Sequence, residues 1–419
     1  NPQRRRVYSG VWYGRSSSDL YGGYQKSFGY LKICIIIQLL RNWQLNGYKF
    51  ASVNDKKKGI YMFTKEETNF CKGIAIVMML FHHLFNDFEE YAGYIVDYRP
   101  FTPDCLTFLA LLCKVCVAVF VFLSGYGITF VYHKTFGDRE PEKKELVAFT
   151  WNRYWKLMAG YWFIFILALL CQPLGRTIAD AYGTATKDII FYFVIDFLGL
   201  SYLFSTPTLN PTWWYMSLAI FIIFVMPFII RLMRRYGALT VVAVLTGGVY
   251  LLGTANPSTF YLFSLLLGAA CMETGFFHKL TQITDKNKIR KYTVFIVELV
   301  ILFILLRYGT NYNLNGIVDG LLALVIACAV HTVLIDIPVV SPAVCFIGKY
   351  SLNIFLFHTL LYSYYFLRFF FSFHYWVLIV LSLLVVSLLV SVGIEFVKER
   401  SGYTKVMRKA GEKVLLFWE

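Results

Sequence analysis

Charged residues are scarce in this chain: Asp, Glu, Lys and Arg make up 16% of the 419 residues, against 58% for hydrophobic residues. A soluble globular domain is about a quarter charged and about half apolar, so the composition argues against one. The apolar residues also form long runs, and several reach the roughly 20 residues that a membrane-spanning helix needs. The sequence therefore predicts an all-α, polytopic integral membrane protein.

Paired cysteine motifs are also lacking. The nine cysteines are scattered, and the one CxxC pair, Cys113 and Cys116, has no second pair beside it. We therefore expect no metal site and no disulfide framework, and read these residues as small packing groups.

Acidic residues number 25 against 40 basic ones, which gives a formal net charge of +15. In a soluble protein this excess would suggest nucleic acid as a partner. Here the cations fall in short loops between apolar segments, where they indicate topology and an attraction to anionic membrane lipids. We therefore expect no nucleic-acid partner.

Residues 1–61 differ from the rest of the chain because they are polar, basic and aperiodic. Their apolar run, LKICIIIQLL, is too short to span a membrane, and no signal-peptide pattern is present. One interpretation is a disordered basic arm on the inner leaflet. The other is a non-native extension, because the codons of KKKGIY just before Met62 would resemble a ribosome-binding site read in frame. We favour a native start at Met62.

Eleven apolar segments follow between residues 62 and 400. They lie near 70–88, 105–132, 150–172, 188–205, 213–231, 238–253, 259–276, 292–307, 316–336, 346–368 and 374–396. Basic clusters begin at Lys134, Arg231, Lys279 and Lys398.

The positive-inside rule places basic clusters in the cytoplasm. All four clusters meet this rule if segment 188–205 is re-entrant or interfacial and does not cross the membrane. Two prolines follow that segment, in LFSTPTLNPT, and would break a helix. The sequence therefore predicts about ten transmembrane helices with both ends inside and residues 401–419 as a cytoplasmic basic tail. We see no strong internal repeat.

The segment KGIAIVMMLFHH places a cation and a histidine in one apolar helix. Ten residues separate Lys72 from His83, which corresponds to roughly 16 Å along a helix. An ionisable side chain in an apolar segment is a candidate functional group, although a lone histidine is more often a satisfied core residue. His82 adjoins His83, but the two point about 100° apart, and the spacing favours His83.

Three cations could bind a phosphorylated donor. Lys72 is expected at the inner end of its span, and Arg153 and Lys156, in WNRYWKLMAGYW, at the inner end of theirs. Residues three apart share a helix face. We call these three residues the cationic entrance; the alternative is that they only anchor the helices at the inner membrane surface.

Further polar or small residues interrupt the apolar segments. Ser124 and Gly125, in FVFLSGYGIT, suit close helix packing. Trp214 opens an aromatic stretch typical of a membrane interface. Asn353 and His358, in GKYSLNIFLFHT, are five residues apart and therefore do not share a helix face.

Taken in order, these elements resemble the membrane-bound acyltransferase-3 family, whose members O-acylate cell-surface polysaccharides and related glycans. The resemblance covers roughly residues 62–400, which it identifies as a transmembrane acyltransferase domain. It implies that His83 is the essential histidine and Lys72 its paired cation. It also implies that Arg153 and Lys156 form the Arg-x-x-Arg pair, with Lys in second place, and that Ser124 and Gly125 form the Ser-Gly motif.

Two positions depart from the family pattern. Asn69 stands where members often have Asp, and the helix after the Trp motif reads Ser217, Leu218, Ala219, Ile220 where many have a Glu. We therefore expect the acceptor site to differ from that of such relatives.

The expected function is an O-acyltransferase, with acetyl as the favoured group, in a bacterial plasma (inner) membrane. Acetyl-CoA or another acyl-CoA would be the donor, a surface glycan or lipid-linked sugar the acceptor, and His83 the general base. Ser124, backbone N–H groups or a Trp indole could stabilise the oxyanion. The alternatives are a proton-coupled transporter or flippase of a small anion or lipid-linked sugar, and a non-catalytic scaffold.

Deletion of residues 1–61 is expected to leave membrane insertion and activity intact if the native protein starts at Met62. The check compares the full chain and the truncated chain for abundance in the membrane fraction and for activity. A truncated protein that inserts but is inactive would contradict this expectation.

Overall fold

A computed structural model provides the fold and describes residues 63–252, 257–308 and 315–416. The structure is 82% helical, and these ranges contain no strand. The all-α prediction is therefore confirmed. The interpretations of residues 1–61 concern residues that lie outside the described ranges.

The helices are numbered in chain order. The first seven are α1 (Lys65–Phe85), α2 (Phe88–Tyr91), α3 (Pro103–Leu112), α4 (Cys116–Phe136), α5 (Lys143–Leu170), α6 (Ile178–Tyr182) and α7 (Thr186–Phe197). The next six are α8 (Trp214–Tyr236), α9 (Ala238–Leu252), α10 (Pro257–Phe260), α11 (Leu262–Glu273), α12 (Phe276–Thr284) and α13 (Lys288–Tyr308). The last are α14 (Asn315–Thr332), α15 (Val340–Lys349), α16 (Ser351–Thr359), a π-helical turn (Leu360–Tyr365), α17 (Leu367–Phe371), α18 (Trp376–Arg400) and α19 (Tyr403–Leu416).

Within the described ranges, five helical stretches are long and apolar enough to cross a membrane. They are α1, α3 with α4, α5, α8 with the turn before it, and α18. Helix α15 and the stretch Ser351–Tyr365 meet at an angle of 66° and make a sixth if they count as one span. Helices α9, α11 and α14 are apolar but shorter. The ten-helix topology therefore stays a prediction.

The segment near 188–205 does not form a spanning helix. Helix α7 has 12 residues and ends at Phe197, and turns follow it. Twelve residues rise about 18 Å, whereas the hydrocarbon core of a bilayer is about 30 Å thick. This length is compatible with a re-entrant or interfacial position.

Polar caps extend two helices beyond their apolar stretches. Thr64 and Glu67 form a capping box that starts α1 seven residues before Lys72. Glu142 caps α5 in the same way, so that this helix starts ten residues before Arg153. Both cations therefore lie two to three turns after the first residue of their helices, and their position at the inner ends of the spans stays a prediction.

Glycines allow the central helices to approach closely. A Cβ atom at Gly125 in α4 would overlap the Leu265 carbonyl of α11, and one at Gly268 would overlap the Phe122 carbonyl in return. Helices α1 and α15 meet similarly where Gly348 faces the Asn69 carbonyl. Such small-residue contacts bring two backbones together.

Buried ion pairs and hydrogen bonds join helix ends across this packing. His331 of α14 bonds to Glu67 of α1 at 2.6 Å and to Thr281 of α12 at 2.8 Å. His133 of α4 bonds to Glu273 of α11 at 2.8 Å. Because these polar groups are buried, each requires its partner, and the pairings fix which helix ends are neighbours.

The variant Gly125→Ala is expected to destabilise the protein by about 1–3 kcal/mol, because the new methyl group meets a backbone carbonyl that cannot move aside. The matched control is Gly127→Ala in the same helix, since nothing lies within 4 Å of a Cβ atom there. Thermal unfolding of the purified protein in lipid nanodiscs measures both. Equal midpoints for the two variants would contradict the assigned packing.

Candidate active site

Two imidazole rings from different helices face each other inside the protein. His83 lies in the last turn of α1 and His358 in α16, with ring centroids 5.2 Å apart and ring planes inclined by 43°. His358 is fully buried, whereas His83 is partly exposed. No described residue forms a hydrogen bond with the His83 ring. Hydrogen bonds to described residues therefore hold the His358 ring, but none holds the His83 ring.

The neighbouring histidine faces another helix. The Nδ1 atom of His82 lies 2.8 Å from the Ala110 carbonyl oxygen of α3, and its ring centroid lies 5.2 Å from that of His83. A carbonyl only accepts, so His82 donates from Nδ1. The two histidines thus line different walls, as their angular separation predicts.

The hydrogen bonds of His358 define its tautomer. Nδ1 lies 2.9 Å from the Phe355 carbonyl and 3.1 Å from that of Ile354. Because these oxygens only accept, Nδ1 carries the hydrogen, and Nε2 of the neutral ring is an acceptor. The Thr359 hydroxyl, 3.2 Å away, is placed to donate to Nε2.

The loop before α8 packs against the helix that carries His358. The Trp213 indole N–H donates to the Leu356 carbonyl at 2.8 Å, and the Asn210 amide donates to the same oxygen at 3.2 Å. The Thr212 and Thr359 hydroxyls lie 3.1 Å apart. The loop thus holds α16 on both sides of His358.

A change in helix type leaves the Leu356 oxygen available. In an α-helix it would accept from the N–H of Leu360, but that N–H bonds to Phe357 and a π-helical turn begins. Such π turns occur frequently at functional sites. Side chains of the loop take the place of the missing backbone donor.

A buried carboxylate anchors the same loop. Asp196 of α7 is completely buried, and its carboxylate accepts hydrogen bonds from the Tyr182 hydroxyl at 2.7 Å, the Thr208 hydroxyl at 2.8 Å and the Leu209 N–H at 2.6 Å. The Tyr161 hydroxyl donates to the backbone carbonyl of Asp196 at 2.8 Å. These bonds join α5, α6 and α7 to the residues directly before Asn210.

The cationic entrance residues carry no counter-charge. Lys72 is half-buried, Lys156 is exposed, and neither forms an ion pair with a described residue. The Arg153 guanidinium lies 4.8 Å above the Phe149 ring, and its Nε is buried without a hydrogen-bond partner in the described structure. Helix α16 contacts both α1 and α5, which carry these cations. Such unneutralised cations suit an anionic ligand.

A family model for an acyltransferase domain, acyltransferase-3, matches residues 66–396, which is most of the chain. The chain belongs to the acyltransferase-3 family. The resemblance drawn from the motifs is thereby confirmed, and the protein is an acyltransferase. No curated protein and no solved structure matches the chain.

The Ser-Gly motif of this acyltransferase-3 member has a packing role. The Ser124 hydroxyl donates to the Phe120 carbonyl one turn earlier, at 2.8 Å. Ser124 also interacts with Tyr215, whose ring lies 5.2 Å from Phe355 beside His358. Gly125 makes the close contact with α11 described above. The expectation that Ser124 stabilises an oxyanion stays a prediction.

Two other candidates lie apart from the imidazole pair. Trp214 joins an aromatic cluster, with ring centroids 6.0 Å from Tyr215 and 6.4 Å from Tyr261. The Asn353 amide donates to Glu395 at 2.7 Å and accepts from Lys398 at 3.2 Å, which clamps α16 to α18. Asn353 and His358 point in different directions, as their five-residue spacing predicts.

The residues that sequence reasoning missed are Asp196 and its hydroxyl donors. A single carboxylate in the apolar run DIIFYFVIDF was the available signal, because a charge in such a segment requires partners. Its partners Tyr161, Tyr182 and Thr208 stand on three different chain segments, which no local pattern connects.

Replacement of Asp196 by Asn is expected to lower the free energy of unfolding by about 2–4 kcal/mol, because an amide NH₂ turns towards donors that need an acceptor. The matched control is Asp188→Asn, an exposed position in the same helix, with an expected change within about 0.5 kcal/mol. Thermal unfolding in nanodiscs measures both. A stable Asp196→Asn protein would show that the network does not anchor the loop.

Proposed function

We propose that this acyltransferase moves an acyl group, most simply acetyl, from acyl-CoA to a hydroxyl of a cell-surface glycan or its lipid-linked precursor. The observation that carries the proposal is the His83 ring, which has no hydrogen-bond partner among the described residues and whose centroid lies 5.2 Å from that of the buried His358 ring. A neutral imidazole with a free nitrogen suits proton transfer near neutral pH.

In the proposed reaction His83 removes the proton from the acceptor hydroxyl as its oxygen attacks the thioester carbon. The C–O bond forms, the C–S bond breaks, and the proton then passes from His83 to the leaving thiolate of CoA. His358 keeps its own hydrogen on Nδ1, bonded to backbone carbonyls, and its ring packs against His83 and positions it.

The donor would enter from the side of the cationic entrance. Arginine recognises phosphate groups by paired hydrogen bonds, and lysine does so as a point charge. Lys72 and His83 lie roughly 16 Å apart along α1. A flexible pantetheine arm suits this distance, because it carries the thioester to the histidine while the phosphates stay with the cations.

For the membrane arrangement we propose ten spans with both ends in the cytoplasm of a bacterial cell and segment 188–205 not crossing. The four basic clusters, which this arrangement places on one side of the membrane, support it, as do the two prolines that follow the segment. Residues 401–419 then lie on the cytoplasmic side. The acceptor would approach from the opposite face.

Family membership favours this proposal over a transporter or flippase. A carrier usually has broken helices at matching positions in two halves, whereas the described residues hold one bent pair, α15 with α16. Release of CoA from labelled acetyl-CoA by membranes separates the two functions, since a carrier releases none.

The variant His83→Ala is expected to lower acyl transfer at least about 100-fold, because the general base is lost, while the protein still inserts. The measurement is the release of CoA from acetyl-CoA by purified protein in nanodiscs. His82→Ala is the matched control and is expected to keep most activity, since that ring is bonded to α3.

If the His83→Ala variant keeps its activity, the assignment of His83 as general base is wrong. Mass spectrometry of the wild-type protein after brief exposure to acetyl-CoA adds a second test. An acyl group trapped on His83 would replace direct transfer by a covalent intermediate.

A further inference from the structure

The C-terminal helix α19 is docked on α5 beside the cationic entrance. The Trp155 indole N–H donates to the Met407 carbonyl at 2.6 Å, and the Tyr403 hydroxyl donates to the Ala159 carbonyl at 2.9 Å. A Cβ atom at Gly411 would overlap the Trp155 ring, so glycine permits this approach. The contacts show that α19 runs antiparallel to α5 and is closely packed against it.

The contact uses one face of α19 and leaves a basic face exposed. Tyr403, Met407 and Gly411, spaced four residues apart, face α5. The basic residues on the exposed side are Lys405, Arg408, Lys409 and Lys413. The face that packs on α5 is covered by protein, so the exposed cations of α19 remain open to solvent and to an anionic ligand.

Helix geometry places one of these cations on the same side as the cationic entrance. Viewed from the start of α5, and counting about 100° per residue, Lys156 lies about 60° and Arg153 about 120° clockwise from Ala159 at the centre of the contact. In the same view the antiparallel α19 turns counterclockwise. On α19, Arg408 therefore lies about 100° from Met407, the centre of the contact, on the same side as Lys156. Lys413 lies on the opposite side.

Arg408 is also at the right level and is available. It follows Met407, whose carbonyl bonds to Trp155, and Trp155 is next to Lys156 in the sequence. Its side chain is 71% exposed, and its contact with Glu412, at 3.9 Å, is too long for a hydrogen bond. An exposed ion pair of this kind contributes little to stability, so a more highly charged anion can displace Glu412 from Arg408.

We propose that Arg408 completes a phosphate-binding site for the nucleotide part of the donor, together with Arg153 and Lys156. This inference rests on the proposed use of acyl-CoA, whose phosphates lie at the end of the molecule remote from the thioester. Helix α19 begins after residue 396, where the family match ends, so this contribution belongs to the chain's own C-terminal helix.

The experiment compares Arg408→Gln with Lys413→Gln in the full chain in nanodiscs. Each variant removes one cation from α19, but only Arg408 faces the entrance. We expect Arg408→Gln to raise the KM for acetyl-CoA roughly fivefold to tenfold with kcat unchanged, and Lys413→Gln to match the wild type. With S-acetylpantetheine, which lacks the nucleotide, the difference between the two variants is expected to disappear. Arg408→Lys is expected to recover part of the affinity.

Equal KM values for the two glutamine variants would overturn the proposal, whether both equal the wild type or both rise, because a diffuse positive surface would then suffice. A difference that persists with S-acetylpantetheine would also overturn it, because the phosphates would not be involved. Direct binding of CoA, measured by calorimetry, separates these failures from that of the proposed function. A wild-type protein that binds no CoA removes the donor assignment itself, whereas CoA binding unaffected by Arg408→Gln removes only this site.

Discussion

The candidate site depends on the hydrogen bonds that the Leu356 carbonyl oxygen accepts from Trp213 and Asn210. A backbone oxygen left unpaired in an apolar interior costs several kcal/mol, and here two side chains of the loop before α8 supply the donors. That loop is in turn anchored by the buried carboxylate of Asp196. Because His358 lies two residues after Leu356, the same contact fixes the ring that faces His83. A local break in helical hydrogen bonding thus helps to position the His358 ring against His83.

The polar side chains of this protein are of two kinds: those with hydrogen-bond partners in other helices and those without a partner among the described residues. His133, His331 and Asn353 have full sets of partners and join helices to one another. The His83 ring, in contrast, forms no hydrogen bond with a described residue, and the Nε atom of Arg153 is buried without a partner among them. Burying a polar atom without a partner costs free energy, which is consistent with the proposed role of Arg153 in binding an anionic ligand.

Much of the fold followed from the sequence, because hydropathy and helix periodicity are local properties. The apolar runs predicted helices at the right places, and the ordered motifs predicted the family that the comparison confirmed. Helix ends were less predictable. Capping residues such as Thr64 and Glu142 extend α1 and α5 beyond the apolar stretch, so Lys72 and Arg153 lie two to three turns after the helix starts. The site was predicted only in part: His83 and His358 were both named, but their contact was not, and neither was Asp196.

The sequence by itself determined that the chain is helical and apolar, which residues are ionisable within it, and to which family of acyltransferases it belongs. These properties depend on residue type and on spacing along one segment. The tertiary structure decided which histidine meets His358, that the Ser124 hydroxyl donates to the Phe120 carbonyl, and that α19 packs against α5 at Trp155. Such outcomes depend on hydrogen bonds and close contacts between segments far apart in the chain. Only the packed helices show which donor reaches which carbonyl.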